Sequence, residues 1–142
     1  MVQLSLLMQK LVRVPHHVAI IPDGNRRWAR ARNLDTLLGH RAGFDRAVEL
    51  AKAARNMGVH TLSIWAFSTE NWDRSTREIN YLMQLYETMI DQHLKDAHKD
   101  GVRIIHLGRK DRIPKKLVKK IEQAEEETKG NTKHILNICL DY

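Results

Sequence analysis

Two short stretches of this 142-residue chain concentrate side chains able to do chemistry. The first is Asp23-Gly24-Asn25-Arg26-Arg27-Trp28. It sets one carboxylate beside two guanidinium groups, whose planar donor forks suit phosphate oxygens. A carboxylate in such company has a use when a hard cation such as Mg²⁺ bridges it to a diphosphate. Backbone N–H groups of a helix starting just behind Asp23 would face the same anion. A purely structural use also fits, with Asp23 as a helix N-cap and Asp-Gly as a tight turn. The second stretch is Ser68-Thr69-Glu70-Asn71-Trp72, with Arg74 just beyond. It offers two hydroxyls, a carboxylate, an amide and an aromatic plate. Here the structural use is a helix start, because Ser75-Thr76-Arg77-Glu78 has capping-box spacing. In that box Ser75 caps and Glu78 reaches back, which leaves Ser68 to Asn71 free.

Both stretches need strands to position them. His17 to Pro22 and His60 to Phe67 are short, apolar and β-branched, and read as buried strands. Gly24 to Arg32 reads as helical. Gly39 and Gly43 are expected to bracket a turn, followed by the helical stripe Phe44, Ala47, Val48, Ala51 and Ala54, closed at Gly58. A long helix is expected from Ser75 to Lys99, stopped by Gly101. Val102 to Leu107 is a third strand, Pro114 to Lys129 a helix, and His134 to Leu140 a fourth strand. Met1 to Val14 reads as a short amphipathic helix ended by Pro15. Strands alternating with helices predict an α/β domain over residues 1–142. Its sheet is open, mostly parallel, four-stranded, flanked by helices and apolar on both faces. Such sheets bind ligands beyond the carboxyl ends of their strands, so the informative residues come directly after Pro22, Phe67 and Leu107.

Composition narrows the function classes. Hydrophobic residues are 42% and charged residues 29%, as in globular domains. The lone Cys139 excludes an intramolecular disulfide framework and a CxxC site, and reads as a small core residue. His16, His60, His93, His98, His106 and His134 form no metal-binding spacing. Lys+Arg of 24 against Asp+Glu of 17 gives +7, which points to an anionic partner. The run Arg109, Lys110, Arg112, Lys115, Lys116, Lys119, Lys120 carries much of that excess. It reads as a solvated helix face with i to i+4 pairs, or as a contact to an anionic surface. No apolar run approaches the roughly 18–20 residues of a spanning helix. The N-terminus lacks the pattern of an export signal. The expected compartment is the cytoplasm, with a peripheral membrane contact through the N-terminal helix as the alternative.

Taken together, the motifs resemble those of the cis-prenyltransferases. His17-Val-Ala-Ile-Ile-Pro-Asp-Gly-Asn-Arg-Arg-Trp-Ala29 looks like the family's first signature, and Gly39-His40-Arg41-Ala42-Gly43 like its second. Ala66 to Arg74 looks like the third, and Asn137 to Tyr142 like the strand before the family's Gly-Gly-Arg segment. The resemblance implies Mg²⁺-dependent condensation of isopentenyl diphosphate with an allylic diphosphate. The product is a cis-polyprenyl diphosphate. It implies that Asp23 holds Mg²⁺ and assists departure of the diphosphate, and that Asn71 sits by the proton lost. Gly24, Asn25, Arg26 and Arg27 would cradle the diphosphate, and Trp28 would pack beside the allylic group. His40 would contact phosphate, and Ser68, Thr69 and Glu70 would line the site. Trp72 would pack nearby and Arg74 would bind diphosphate. Leucines and methionines of the long helix would line a tunnel or simply form core.

Three positions depart from the family pattern. Arg26 stands where many members have glycine. Thr36 stands where many have an arginine, and Asp35 beside it makes that spot less favourable to an anion. The chain also stops before the Gly-Gly-Arg segment. Against the six-stranded family sheet, this implies a shortened fold carrying the allylic half-site, active alone or with a second chain supplying the missing half. The uncovered sheet edge would then serve a homo-oligomer or a complementing partner. A non-catalytic diphosphate-binding or partner-binding domain is the alternative. A nucleic-acid-binding module is more remote, since aromatic residues are only 6% and no recognition motif is present.

Overall fold

A computed structural model describes residues 13–142. The helix expected over Met1 to Val14 lies outside these residues, except for its last two positions. Four strands, β1 (His17–Ile20), β2 (Thr61–Phe67), β3 (Val102–Leu107) and β4 (His134–Leu140), form one sheet in the order β1-β2-β4-β3. All three pairings are parallel, as the alternation of elements predicts. Four helices connect them: α1 (Asn25–Arg30), α2 (Thr36–Asn56), α3 (Thr76–Lys99) and α4 (Lys115–Thr128). A 3-10 turn, Thr69–Asp73, comes after β2. Among the described residues no helix is long and apolar enough to cross a membrane.

Gly39 and Gly43 do not bracket a turn; both lie inside α2. The helix starts earlier than its apolar stripe because Asp35 caps it, its side chain accepting the Leu37 N–H at 3.0 Å. The two glycines, four apart, face α1 together. A Cβ at Gly39 would overlap the Asn25 carbonyl, and one at Gly43 would overlap the Asn25 side chain. Glycine there lets the first turn of α1 seat directly on the α2 backbone.

The core lies mainly on one face of the sheet. Val18, Ile20, Leu62, Ile64 and Leu136 pack with Ala51 and Ala54 of α2. Phe67 and Leu140 pack with Leu82, Met83 and Tyr86 of α3 and with Leu117 and Ile121 of α4. The opposite face is less covered than a doubly apolar sheet would be. Ala19, Ile21 and Trp65 are exposed there, and Ser63 is half-buried, bonded by His17 and Asn137.

The pairing of β2 with β4 slips by one residue between Trp65 and Phe67, leaving Ala66 unpaired. Such a bulge re-aims the side chains beyond it. It turns Phe67 into the core, where it is fully buried, and the Ala66 carbonyl accepts the Tyr86 hydroxyl at 2.8 Å. Burial pushes that phenol well above its ordinary range, so it stays a donor.

The far edge of the sheet is sealed. The Ile104 and His106 N–H groups of β3 donate to Thr128 Oγ1 (3.0 Å) and Glu125 Oε1 (2.9 Å) of α4. The basic run of α4 is partly spent on its neighbour: Lys116 pairs with Glu87 and Lys120 with Asp91, both on α3. Lys110 pairs with Glu125 and Arg112 with Asp141. These are ties between elements rather than the expected i to i+4 pairs within one helix. Cys139 is buried, and burial raises its thiol above the ordinary range.

Candidate active site at the carboxyl ends of β1 and β2

The loops after β1 and β2 open side by side because those strands are neighbours. The loop after Leu107 does not join them, since β3 lies at the far edge and the Arg109 N–H is used on the Asp141 carbonyl at 2.8 Å. Between the sheet and helices α2, α3 and α4 lies a cavity of about 660 Å³. Its wall is largely apolar: Leu82, Tyr86, Met89, Ile90 and Leu94 of α3, Leu117 and Ile121 of α4, and Leu136 and Ile138 of β4. Leucines and one methionine of the long helix therefore do line a lumen, while Met83 and Leu85 are buried in the core.

The cavity mouth gathers most of the residues singled out from the sequence. Asp23, Gly24, Asn25, Arg26 and Arg27 line it from the first loop. His40 lines it from α2, and Ser68, Asn71 and Arg74 from the second loop. Trp28, Thr69, Glu70 and Trp72 do not. Trp28 stacks on the Arg32 guanidinium, 4.4 Å from the ring centroid, and is 40% exposed. Thr69 and Glu70 lie on the exposed side of the 3-10 turn, with the Thr69 N–H donated to the Tyr142 carbonyl at 3.2 Å. The Trp72 indole packs inward on Phe67, with ring centroids 5.1 Å apart, and donates Nε1–H to Asp141 Oδ1 at 2.9 Å.

The first loop turns sharply at Gly24, whose φ of 91° strains any residue with a side chain. Gly24, not Asp23, is the N-cap of α1. The Asp23 carboxylate instead accepts Arg27 Nη2 at 2.9 Å. Both partners are mostly exposed, at 79% and 76% of their side chains, so solvent screens the pair. A diphosphate arriving at the mouth would compete directly for Arg27.

The second loop is tied from behind. Asn71 Oδ1 accepts the Ser68 N–H at 3.2 Å, a cap of its own, so Asn71 is not free as its spacing suggested. Ser75 Oγ accepts the Glu78 N–H at 3.3 Å, but the reciprocal half of that box is missing. The Glu78 carboxylate turns inward. Its Oε1 accepts His40 Nε2 at 2.8 Å and Arg74 Nη1 at 3.1 Å. His40 and Glu78 are both buried. Asp141, fully buried, accepts Trp72 and both Nε and Nη2 of Arg112. Glu78 and Asp141 are the positions that sequence reasoning underused. The signal for Asp141 was an acidic residue closing an apolar strand. For Glu78 it was an acidic residue one turn after Arg74.

Asp35 also behaves differently from the expectation. It pairs with Arg77 of α3 at 2.6 Å, so a cation stands beside Thr36 after all. The Leu37 N–H and the Arg77 guanidinium hold the Asp35 carboxyl below its usual range.

The donor set bears on a metal. Among the described residues no three His, Cys, Asp or Glu side chains converge as metal ligands. Asp23 is the single carboxylate that lines the mouth. That suits Mg²⁺, which is commonly held by one or two carboxylates together with phosphate oxygens and water.

From residue 21 to 142 the chain matches the prenyltransferase family model described as "Putative undecaprenyl diphosphate synthase". It is 41% identical over 130 residues to the isoprenyl transferase of Streptococcus pneumoniae (strain R6), covering 92% of this chain and 52% of that protein. It is 43% identical over 130 residues to the Lactiplantibacillus plantarum ditrans,polycis-undecaprenyl-diphosphate synthase ((2E,6E)-farnesyl-diphosphate specific), covering 92% and 50%. Among solved structures it resembles lavandulyl diphosphate synthase from Lavandula x intermedia in complex with dimethylallyl diphosphate. The TM-score is 0.87 at 31% identity, over 91% of this chain and 56% of that one. A probable undecaprenyl diphosphate synthase from Campylobacter jejuni gives 0.73 at 28% identity, over 93% and 56%. The chain spans about half the length of the curated relatives it matches. Its matching motifs, its parallel sheet and the family model over residues 21–142 place it in one group: the chain belongs to the undecaprenyl diphosphate synthase family of prenyltransferases.

Proposed function

We propose that this chain carries the allylic-diphosphate half-site of a cis-prenyltransferase. It would serve the condensation of isopentenyl diphosphate with an allylic diphosphate such as farnesyl diphosphate. The observation that supports this most is the union of a cationic mouth (Arg26, Arg27 and Arg74) with an apolar cavity of about 660 Å³. That pairing of surfaces suits a ligand with an anionic head and a hydrocarbon tail.

In the reaction the allylic C–O bond breaks, diphosphate leaves with its electron pair, and a new C–C bond forms to the isopentenyl unit, which loses a proton. Arg26, Arg27 and Arg74 hold the departing oxygens, where fixed cations stabilise the charge that develops. Arg27 exchanges Asp23 for phosphate, which frees the Asp23 carboxylate. Asp23 would hold Mg²⁺, which when bound would supply Lewis-acid neutralisation of the leaving group. Asn71, its Oδ1 already used by the Ser68 N–H, has its Nδ2 left to orient a substrate oxygen near the lost proton. The apolar wall excludes water from the cation-like allylic carbon and accommodates the chain.

The chain is incubated with Mg²⁺, farnesyl diphosphate and labelled isopentenyl diphosphate. Extension of the farnesyl chain is the expected result for an autonomous half-site. Its absence at every concentration, with diphosphate binding retained, favours a second reading: a domain that binds the allylic diphosphate and turns over only with a partner. The observation behind that reading is the span of about half the relatives' length.

A further inference from the structure

Glu78 reaches the site only through other residues. It is 7% exposed and does not line the cavity. Its one oxygen Oε1 accepts from His40 Nε2 and from Arg74 Nη1. These donors come from different elements, α2 and the end of the second loop, and both line the mouth. The local sequence offers Glu78 a simpler use, closing the capping box with Ser75, and the structure forgoes it. By charge alone, a carboxylate here opposes the binding of an anion. What it supplies is geometry. A buried acceptor shared by two donors fixes both side chains with charge-assisted hydrogen bonds. It leaves four of the five guanidinium N–H groups of Arg74 for a ligand.

We propose that Glu78 is a positioning residue: it fixes the His40 ring with Nε2–H donating and holds Arg74 at the mouth, so that the free N–H groups of Arg74 meet a diphosphate. This rests on the diphosphate reading above, yet it makes a prediction of opposite sign to simple electrostatics. Removing a negative charge beside an anion site should tighten binding; removing the shared acceptor should weaken it.

The test titrates inorganic diphosphate with Mg²⁺ into the full chain by calorimetry. In parallel, the imidazole ¹⁵N signals of His40 are recorded without ligand, and folding is checked by circular dichroism. Glu78→Gln is expected to weaken diphosphate binding about tenfold, the scale of one hydrogen bond to a charged group. His40 is expected to pass from one fixed tautomer to an exchanging mixture. Glu78→Asp keeps the charge but falls one methylene short of both donors, and is expected to show the same two changes. It carries the test if Glu78→Gln fails to fold. Equal or tighter binding in both variants, with His40 signals unchanged, overturns the proposal. If the wild-type chain binds no diphosphate, the functional reading falls separately, and unchanged His40 signals in both variants still overturn this one.

Discussion

The two loops at the cavity mouth are held in opposite ways. The Ser68–Arg74 loop is fastened before any ligand arrives. Asp141 takes the Trp72 indole, the Tyr142 carbonyl takes the Thr69 N–H, and Glu78 takes Arg74. The loop from Pro22 to Trp28 presents its charged groups to solvent. Its one side-chain ion pair, Asp23 with Arg27, is exposed and on general grounds contributes roughly 0–1 kcal/mol. What places this loop is shape: Asn25 rests in the notch of Gly39 and Gly43. One wall of the site is thus tied into the fold, and the other stands open to solvent. On the proposed function, the Asp23–Arg27 pair stands in for the contacts that a metal and a phosphate would make. Pre-organising one wall reduces what binding must order, while the exposed wall keeps its cations accessible.

Breaking the fastened side should damage the fold most. Asp141→Ala leaves the Trp72 N–H and the Arg112 guanidinium without their buried carboxylate. The expected loss is about 1.5–3 kcal/mol in urea unfolding, the scale of hydrogen bonds to a charged group, because the Arg112 left behind is partly exposed. A loss no larger than that of a surface substitution would mean the loop is not held from behind. Gly39→Ala attacks the seat of the open loop. Its Cβ overlaps the Asn25 carbonyl, so α1 must shift, at about 1–3 kcal/mol by the cost of overpacking. Diphosphate binding should weaken with it, measured by calorimetry on the folded variant. Arg27→Gln sharpens the contrast: the melting midpoint should hardly move, while affinity for diphosphate drops about tenfold.

The smallest effect concerns pH. Burial holds the His106 imidazole below its ordinary 6.5, and its Nε2 bonds the Leu140 carbonyl just before Asp141. As pH falls, the unfolded chain takes up this proton first. The stability is therefore complete above about 6.5 and declines as pH drops toward the folded value. His106→Gln should flatten that slope in urea midpoints compared between neutral and mildly acidic pH. A slope equal to the wild type would assign the acid sensitivity elsewhere.

Strands and long helices were legible because their signals are local. Val102–Leu107 and His134–Leu140 appear as read, and α3 stops at Lys99 before Gly101. What stayed hidden depended on partners. Gly39 and Gly43 resembled turn residues until α1 was placed against them. The slip at Ala66, which aims Phe67 inward and Ser68 toward the mouth, exists only in the register with β4. The convergence of nine candidate residues on one cavity mouth was legible. Their division of labour was not. Trp72 was expected to pack near the substrate, but its N–H and its ring are satisfied by Asp141 and Phe67. Glu78 looked like a cap because capping is a four-residue pattern, whereas His40 lies 38 positions away.

On the proposed function, the open loop and the apolar cavity together receive an allylic diphosphate. The direct measurement is calorimetric titration of farnesyl diphosphate into the chain, with and without Mg²⁺, for the wild type and for Asp23→Ala. The expected result is Mg²⁺-dependent binding by the wild type and its loss in Asp23→Ala, with the melting midpoint preserved because Asp23 is exposed. Equal binding by both proteins, unaffected by Mg²⁺, would contradict it.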